Sequence, residues 1–471
     1  MSELKEKKGL DTGGKSIVSL MVALLVAIFA FQLNASMLSP ALTTMEHELN
    51  TSAASIALTQ TIFFTAAALF SLFLPRMADL MGRKKVLLGM LAATTIGCVI
   101  SALAPNVTFL MIGRIFQGAA GPIVPMCLIM LHQRVTEDKQ YTKLMAILTS
   151  VNGGIAGVDA LLGGWLAGNW GFRAVFWVMA IIAAAAIILV FLFAEESTAA
   201  ETPAMDWLGA IFLVVAMGTL ITAINEMQKL AAANWTYAII LIVISAASFI
   251  AFWQTEKRKK DPMVSTFYMK QRRTWGLLIT TTLTMTGVFA VMNGIVPAIA
   301  QDPKFGTGLG ADVVSFATLT PYALIGLAFG PVAGILASKF GYLKVLRGGM
   351  IVTLAGVALG FFVAGHANVW GLVLVSVILG FSYAGTVNIM LNGLGIVLSP
   401  KDNEGYLPGL NAGAFNLGAG LSYVALYAAQ NVVSQASGVT AGYTAAMMTG
   451  LILVVLGFAA SFLIPRPGSN E

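Results

Sequence analysis

Residues 348–400 and 405–465 contain no Asp, Glu, Lys or Arg, and that absence constrains the chain more than any other feature of it. Each stretch is too long for one buried core helix and too apolar to face water. A helix needs about 20 mostly apolar residues to cross the hydrocarbon core of a bilayer. Each stretch therefore fits two crossings, joined by a polar turn near Gly365-His366-Ala367-Asn368 in the first and over 430–438 in the second. Four shorter charge-free runs, 16–45, 49–75, 274–301 and 313–338, fit one crossing each. Charged residues make up 10% of the chain, against about 25% in a soluble domain. A cytosolic enzyme, a nucleic-acid-binding protein and a disordered scaffold are excluded, and an all-α membrane protein is expected.

The pattern predicts fourteen spans, at 17–40, 53–74, 86–104, 107–131, 143–167, 174–194, 207–226, 236–254, 275–298, 312–337, 345–364, 369–397, 407–429 and 441–464. An even number puts both termini on one side. Of the 27 Lys and Arg residues, Arg114 lies within a span, and only Arg173, Lys229 and Lys304 fall on the side opposite the termini. Basic loops favour the cytoplasm, so the chain is expected in the cell's inner (cytoplasmic) membrane with both termini cytoplasmic. One loop is unusual: Glu195, Glu196, Glu201 and Asp206 make it acidic. Cys98 and Cys127 both sit in apolar runs, the histidines assemble no metal set, and no glycine loop ending in Lys-Ser/Thr is present. The expectation is a protein that is not an enzyme and has no cofactor, with a proton gradient as its energy source. Its partners would be a small-molecule substrate, protons and the lipid bilayer, with no nucleic acid, and it would be a monomer.

A weak internal repeat joins the turn after the second span to the turn after the tenth. Asp79 and Ser338 occupy equivalent places, each three residues before a glycine in a basic turn. Duplicated halves are common in secondary transporters, which bind substrate where the halves meet. Two six-helix halves, 1–200 and 261–471, would then flank an inserted helix pair, 201–260.

Pro75-Arg76-Met77-Ala78-Asp79-Leu80-Met81-Gly82-Arg83-Lys84 resembles the loop signature G-x-L-A-D-R-x-G-R-K of the major facilitator superfamily. Leu110-Met111-Ile112-Gly113-Arg114-Ile115-Phe116-Gln117-Gly118 resembles its fourth-helix motif L-x-x-x-R-x-x-Q-G. Fourteen spans, Met205-Asp206-Trp207-Leu208-Gly209 and Gly409-Leu410-Asn411-Ala412-Gly413 resemble the drug:proton antiporter branch. The resemblance implies the major facilitator fold and alternating access. Two positions depart from the branch pattern. Phe31 stands where its first helix has an acid, and Asp159-Ala160-Leu161-Leu162-Gly163-Gly164 replaces G-P-x-x-G-G.

Asp79 at the end of the second span, with Arg83 and Lys84 following across Gly82, forms a candidate conformational latch: basic groups and helix N-termini hold a carboxylate. An ionisable residue within a span is costly and is by default a functional-site hypothesis. Arg114 and Asp159 lie at matching depths in consecutive helices, and such helices are usually neighbours. The two are therefore expected to meet, and to serve proton coupling, substrate binding or a static pair that fixes packing. Gly153 with Gly157, and Gly164 with Gly168, make faces for close helix contact. Substrate-binding candidates are Gln32, Asn34, Gln60, Gln117 and Asn152 in one half, and Asn293, Tyr383, Asn388, Asn392 and Asn416 in the other. Two functions stay open. The first is a proton-coupled antiporter exporting amphipathic drugs or toxic compounds. The second is a proton-coupled uptake symporter for a polar or anionic metabolite, with Arg114 as the anion's partner.

Overall fold

The computed structural model describes residues 16–135, 138–197, 206–227, 229, 233–259, 262, 264–400 and 406–467; several side chains within 138–156 are outside that description. All regular structure among the described residues is helical. The long helices are α1 (Ile17–Glu48), α2 (Ala53–Met81), α3 (Arg83–Ala102), α4 (Val107–Arg134), α5 (Asp138–Trp170), α6 (Phe172–Phe193), α7 (Trp207–Met227) and α8 (Trp235–Arg258). They continue with α9 (Arg272–Gln301), α10 (Leu319–Phe340), α11 (Tyr342–Gly365), α12 (Val369–Val397), α13 (Tyr406–Ser437) and α14 (Val439–Leu463). Twelve of them, all but α5 and α13, are long and apolar enough to cross a membrane, and the chain is a multi-pass membrane protein. The remaining two are 33 and 32 residues long.

Boundaries move where local chemistry interrupts or extends a helix. α2 runs through Pro75 to Met81 rather than stopping before the proline. α1 passes through a tight 3₁₀ turn at Ser39–Ala41. α10 begins at Leu319, after a separate short turn at Val314–Ala317.

The repeat is clearer in the turns than in the sequence. Gly82, between α2 and α3, has φ 108°, and Gly341, between α10 and α11, has φ 86°. Gly171, between α5 and α6, has φ 80°, and Gly438, between α13 and α14, has φ 92°. Only glycine enters this region without strain. Asn106 and Asn368 likewise cap α4 and α12, each accepting from the backbone N–H three residues on. The same devices thus recur at matching places in α1–α6 and α9–α14.

Within the first six helices, α3 packs on α4 and α6, and α1 packs on α4, α5 and α6. Among the last six, α13 packs on α9 and α14, α11 on α14, and α10 on α12. The two groups meet along α2 with α13 and along α5 with α10. Among the described residues, four hydrogen bonds join the two groups across this seam. Thr61 Oγ1 donates to the Gly420 carbonyl (3.0 Å), and Ser39 Oγ donates to Asn293 Oδ1 (3.2 Å). Ser315 Oγ donates to the Ala160 carbonyl (2.9 Å), and Thr320 Oγ1 to the Gly157 carbonyl (3.1 Å). Glycine makes the α5 approach close: a Cβ at Gly157 would lie 2.8 Å from Ala323 Cβ, and one at Gly164 2.3 Å from the Ala311 carbonyl oxygen.

Arg76, Arg83, Lys84, Lys257 and Arg347 mark one end of the bundle, here called the basic end. α7 and α8 pair with each other and lie beside α2, where Leu69 and Leu72 reach Leu213 and Phe252. At the basic end Asp206 accepts from the Gly209 N–H (2.7 Å) and pairs with Lys259, while Glu256 accepts from the Val264 N–H (2.7 Å). Burial favours the neutral form of Asp206, yet hydrogen bonds with Glu256, Lys259 and the Gly209 N–H outweigh it and hold this carboxyl below its ordinary range. At the opposite end Glu226 closes the turn, accepting from Lys229 (2.5 Å) and from the Asn234 N–H (2.9 Å).

Candidate functional site

Arg114 is fully buried on α4. Its guanidinium donates to Gln117 Oε1 (2.5 Å), Gln60 Oε1 (2.8 Å) and the Asn34 backbone carbonyl (3.2 Å). The same group lies 4.1 Å from the centre of the Phe63 ring. Gln117 is held in turn by Ser101 (2.9 Å), and Asn34 by the Ala30 carbonyl and the Cys98 thiol. Four candidates named from sequence thus form one cluster across α1, α2 and α4. Among the described residues the cation meets neutral oxygens and a ring face and no carboxylate, and its Nε has no partner.

Asp159 is 3% exposed on α5. The Ser36 hydroxyl donates to its Oδ2 (2.5 Å) and accepts from Gln32 Nε2 (3.0 Å). Its Oδ1 has no hydrogen-bond partner among the described residues. The expected meeting of Arg114 and Asp159 does not occur, because α1 stands between them. Arg114 reaches α1 at Asn34 and Asp159 reaches it at Ser36, positions about 200° apart around a helix. α4 and α5 are consecutive in the chain, yet α1 is the helix that both pack against.

The second group of helices brings Asn293 and Tyr383 into two π-helical turns, Val291–Ile295 in α9 and Gly380–Val387 in α12. Such turns recur at functional sites. Asn293 accepts from Ser39 across the seam, its carbonyl accepts from the Tyr423 hydroxyl (3.0 Å), and Tyr383 donates to Met285 Sδ (2.6 Å). Asn416 is buried at 8% exposure and makes no hydrogen bond among the described residues. Asn388 and Asn392 bond to each other further along α12 and join none of these clusters. The side chain of Asn152 lies outside the described residues.

A chain of aromatic rings that the sequence motifs do not mark runs beside these clusters. Phe31 follows Phe63 at 6.5 Å between ring centres, Phe63 follows Phe64 at 4.8 Å, and Phe64 meets Phe289 at 5.0 Å and Tyr423 at 6.4 Å. Tyr423 continues to Tyr427 at 6.1 Å. The chain crosses from α1 and α2 to α9 and α13, next to the Arg114 cluster. The signal in the sequence was the spacing of Gln60, Phe63 and Phe64, which places all three on one face of α2.

In the candidate latch, Arg83 donates to Asp79 Oδ1 through two nitrogens (2.8 and 3.1 Å). Lys84 departs from the expectation. Its ammonium donates to the Phe191 carbonyl (2.8 Å) and lies over the Phe191 ring. The acidic loop explains this arrangement. Glu196 accepts from the backbone N–H groups of Lys84 (3.0 Å) and Lys85 (3.2 Å), so a carboxylate from the end of α6 caps the start of α3. Gly82 makes room, since a Cβ there would lie 2.6 Å from that carboxyl.

The sequence profile of the Major Facilitator Superfamily matches residues 24–423. A uridine/deoxyuridine transporter from Lactococcus lactis subsp. cremoris is 64% identical over 464 residues, covering 98% of this chain and 96% of its own length. The multidrug resistance protein Stp of Mycobacterium tuberculosis is 23% identical over 376 residues, covering 79% of this chain and 67% of its own length. Among solved structures, the nucleoside transporter NupG aligns with a TM-score of 0.60 at 13% identity, covering 95% of this chain and all of its own. A POT family transporter bound to 5-aminolevulinic acid aligns with a TM-score of 0.67 at 13% identity, covering 95% and 96%. At those identities the two structures speak to the fold alone.

Proposed function

The chain belongs to the Major Facilitator Superfamily, and from that premise we propose that it is a proton-coupled uptake permease for pyrimidine nucleosides, uridine and deoxyuridine foremost. The observation that carries this reading is 64% identity to a uridine/deoxyuridine transporter across 98% of the chain. Drug export, the first expectation from sequence, is set aside: the drug-resistance relative is 23% identical, and Phe31 and Asp159 are where this chain leaves the drug-antiporter pattern. The metabolite permease weighed beside it replaces it, with one change. Arg114 is engaged by neutral protein oxygens, which suits an uncharged substrate better than an anion.

In this proposal fourteen helices cross the cytoplasmic membrane, with the basic end and both termini inside. Residues 1–200 and 261–471 are the two halves, and 201–260 is an inserted pair. The halves rock about a midplane site between the Arg114 cluster and the π-turns of α9 and α12. A flat base stacks on the aromatic chain while amides meet its polar edge. Asp159 is the proton carrier: its Oδ1 is unpartnered and its Oδ2 is held by a hydroxyl, so the carboxyl has no permanent cation to keep it ionised. The contacts Ser39–Asn293, Ala160–Ser315 and Gly157–Thr320 form the outer gate, and Asp79–Arg83 with the Glu196 cap forms the latch at the cytoplasmic end.

The test is uptake of labelled uridine by proteoliposomes under an imposed gradient, alkaline inside. Accumulation above equilibrium that an uncoupler abolishes is expected. Asp159→Asn should keep uridine exchange and lose gradient-driven accumulation. Uridine movement indifferent to the gradient in wild-type protein would overturn the coupling, and failure to move uridine would overturn the substrate.

A further inference from the structure

We infer that Gln60 reads a carbonyl oxygen of the nucleobase, and that Arg114 is the positioning residue that turns the Gln60 amide to do so. This rests on the nucleoside reading above. A guanidinium has donors and no acceptor. The Gln60 atom 2.8 Å from Arg114 Nη2 must therefore be the amide oxygen, and the amide nitrogen must face away from it. Amide orientation, usually a matter of choice, is fixed here by chemistry.

That nitrogen is buried and has no partner among the described residues, in a residue only 1% exposed. A buried donor left unpaired is destabilising and is uncommon without a reason. Both neighbouring amides already have a partner at each end. Gln117 uses its oxygen on Arg114 and its nitrogen on Ser101; Asn34 uses its nitrogen on Ala30 and its oxygen on the Cys98 thiol. Around Arg114, the free amide group among the described residues is the Gln60 nitrogen.

Its place fits a base. Phe63 and Phe64 follow Gln60 by three and four residues and share its face of α2, and Phe64 carries the ring chain across the seam to Phe289 and Tyr423. A base stacked there presents its edge to the Gln60 nitrogen. Uracil offers two carbonyls to a donor; cytosine keeps the 2-carbonyl but carries an amino donor where uracil has its 4-carbonyl.

The experiment measures inhibition of labelled uridine uptake by uridine, by a riboside lacking the 4-oxygen and by one lacking the 2-oxygen. Wild-type protein is compared with Gln60→Glu, which retains an oxygen toward Arg114, and with Gln60→Leu. Melting temperature and surface abundance are measured for both variants. Wild-type protein should prefer uridine over one of the two analogues by about tenfold or more, as sites built to hydrogen-bond a group reject analogues lacking it. Gln60→Glu should lose that one preference and keep the other. Gln60→Leu should behave alike where it folds, and Gln60→Glu decides where it does not. Equal weakening toward all three compounds, or an unchanged preference, would make the amide a structural group bonded to buried water and overturn the inference. Absence of uridine transport in wild-type protein would instead remove the nucleoside reading, and this inference with it.

Discussion

The α5 seam allows a sharp test of gating, because three glycines on one helix face different partners. A Cβ at Gly164 would lie 2.3 Å from the Ala311 carbonyl oxygen, and one at Gly157 2.8 Å from Ala323 Cβ. Both partners lie across the seam, in 272–463. A Cβ at Gly163 would lie 2.0 Å from the carbonyl oxygen of Met37, in α1 on the same side of the seam. Overpacking of this kind costs about 1–3 kcal/mol. If this seam is the outer gate proposed above, the cost at Gly164 and Gly157 falls mainly on its shut state, so Gly→Ala should shift the equilibrium toward outer opening by about 5–150-fold. Gly164→Ala should act more strongly, since a backbone carbonyl yields less than a methyl. Part of its effect is common to both states, through Pro40 Cβ at 3.3 Å. Gly163→Ala penalises both states and should lower the melting temperature without shifting the balance. Spin labels at Asn169→Cys and Lys304→Cys, exposed sites at the end opposite the basic one, report the separation directly; Cys98 and Cys127 are buried. A longer-distance population is expected for Gly164→Ala and Gly157→Ala. If both variants fold and match wild-type distances, or if Gly163→Ala opens the gate equally, the seam is not the gate.

Arg114→Lys keeps the charge and loses the planar fork, so at least one charge-assisted bond of about 1.5–3 kcal/mol is broken; uridine uptake should fall about tenfold or more in initial-rate assays. Glu196→Gln turns an acceptor facing the α3 N-terminus into a donor, at about 0.5–2 kcal/mol. Thermal unfolding should register that loss, and Gly82→Ala should exceed it because φ is 108° and the Glu196 carboxyl is in the way. Asp206→Asn removes the partner of Lys259, whose side chain is 35% exposed, so the loss is discounted to about 1–3 kcal/mol. Because the folded carboxyl is held below its ordinary range, its contribution is complete above about pH 4 and fades as pH falls further. The gap in melting temperature between Asp206→Asn and wild type should therefore narrow below that pH.

The sequence made the helices legible because charge is excluded from hydrocarbon, and it made the interior ions legible because each one is costly there. Asp79 with Arg83 was readable for a local reason: four residues bring the two onto one face at a helix end. What failed were inferences about neighbours across the chain. Arg114 and Asp159 were paired by depth and chain order, but which helix fills the space between two others depends on the whole packing, and α1 fills it. Lys84 was assigned to Asp79 by proximity, whereas a carbonyl and a ring supplied by α6 hold it. The second charge-free run ends at Pro75, yet the helix continues through it to Met81. The π-turns at Asn293 and Tyr383 leave no sequence pattern beyond nearby glycines, and the ring chain becomes visible only when α2, α9 and α13 are brought together.

The position of α1 between the buried acid and the buried base has an electrostatic consequence. In contact, at about 4 Å and an effective interior permittivity of about 20, opposite unit charges attract by about 4 kcal/mol. One helix diameter apart, about 10 Å, the attraction drops below about 2 kcal/mol. A carboxylate clamped by arginine would stay negative through every conformation and could exchange nothing with the solution. In the function proposed above, that separation leaves the carboxyl without a fixed counter-ion, as a proton carrier requires, while the guanidinium shapes the cleft on the other side.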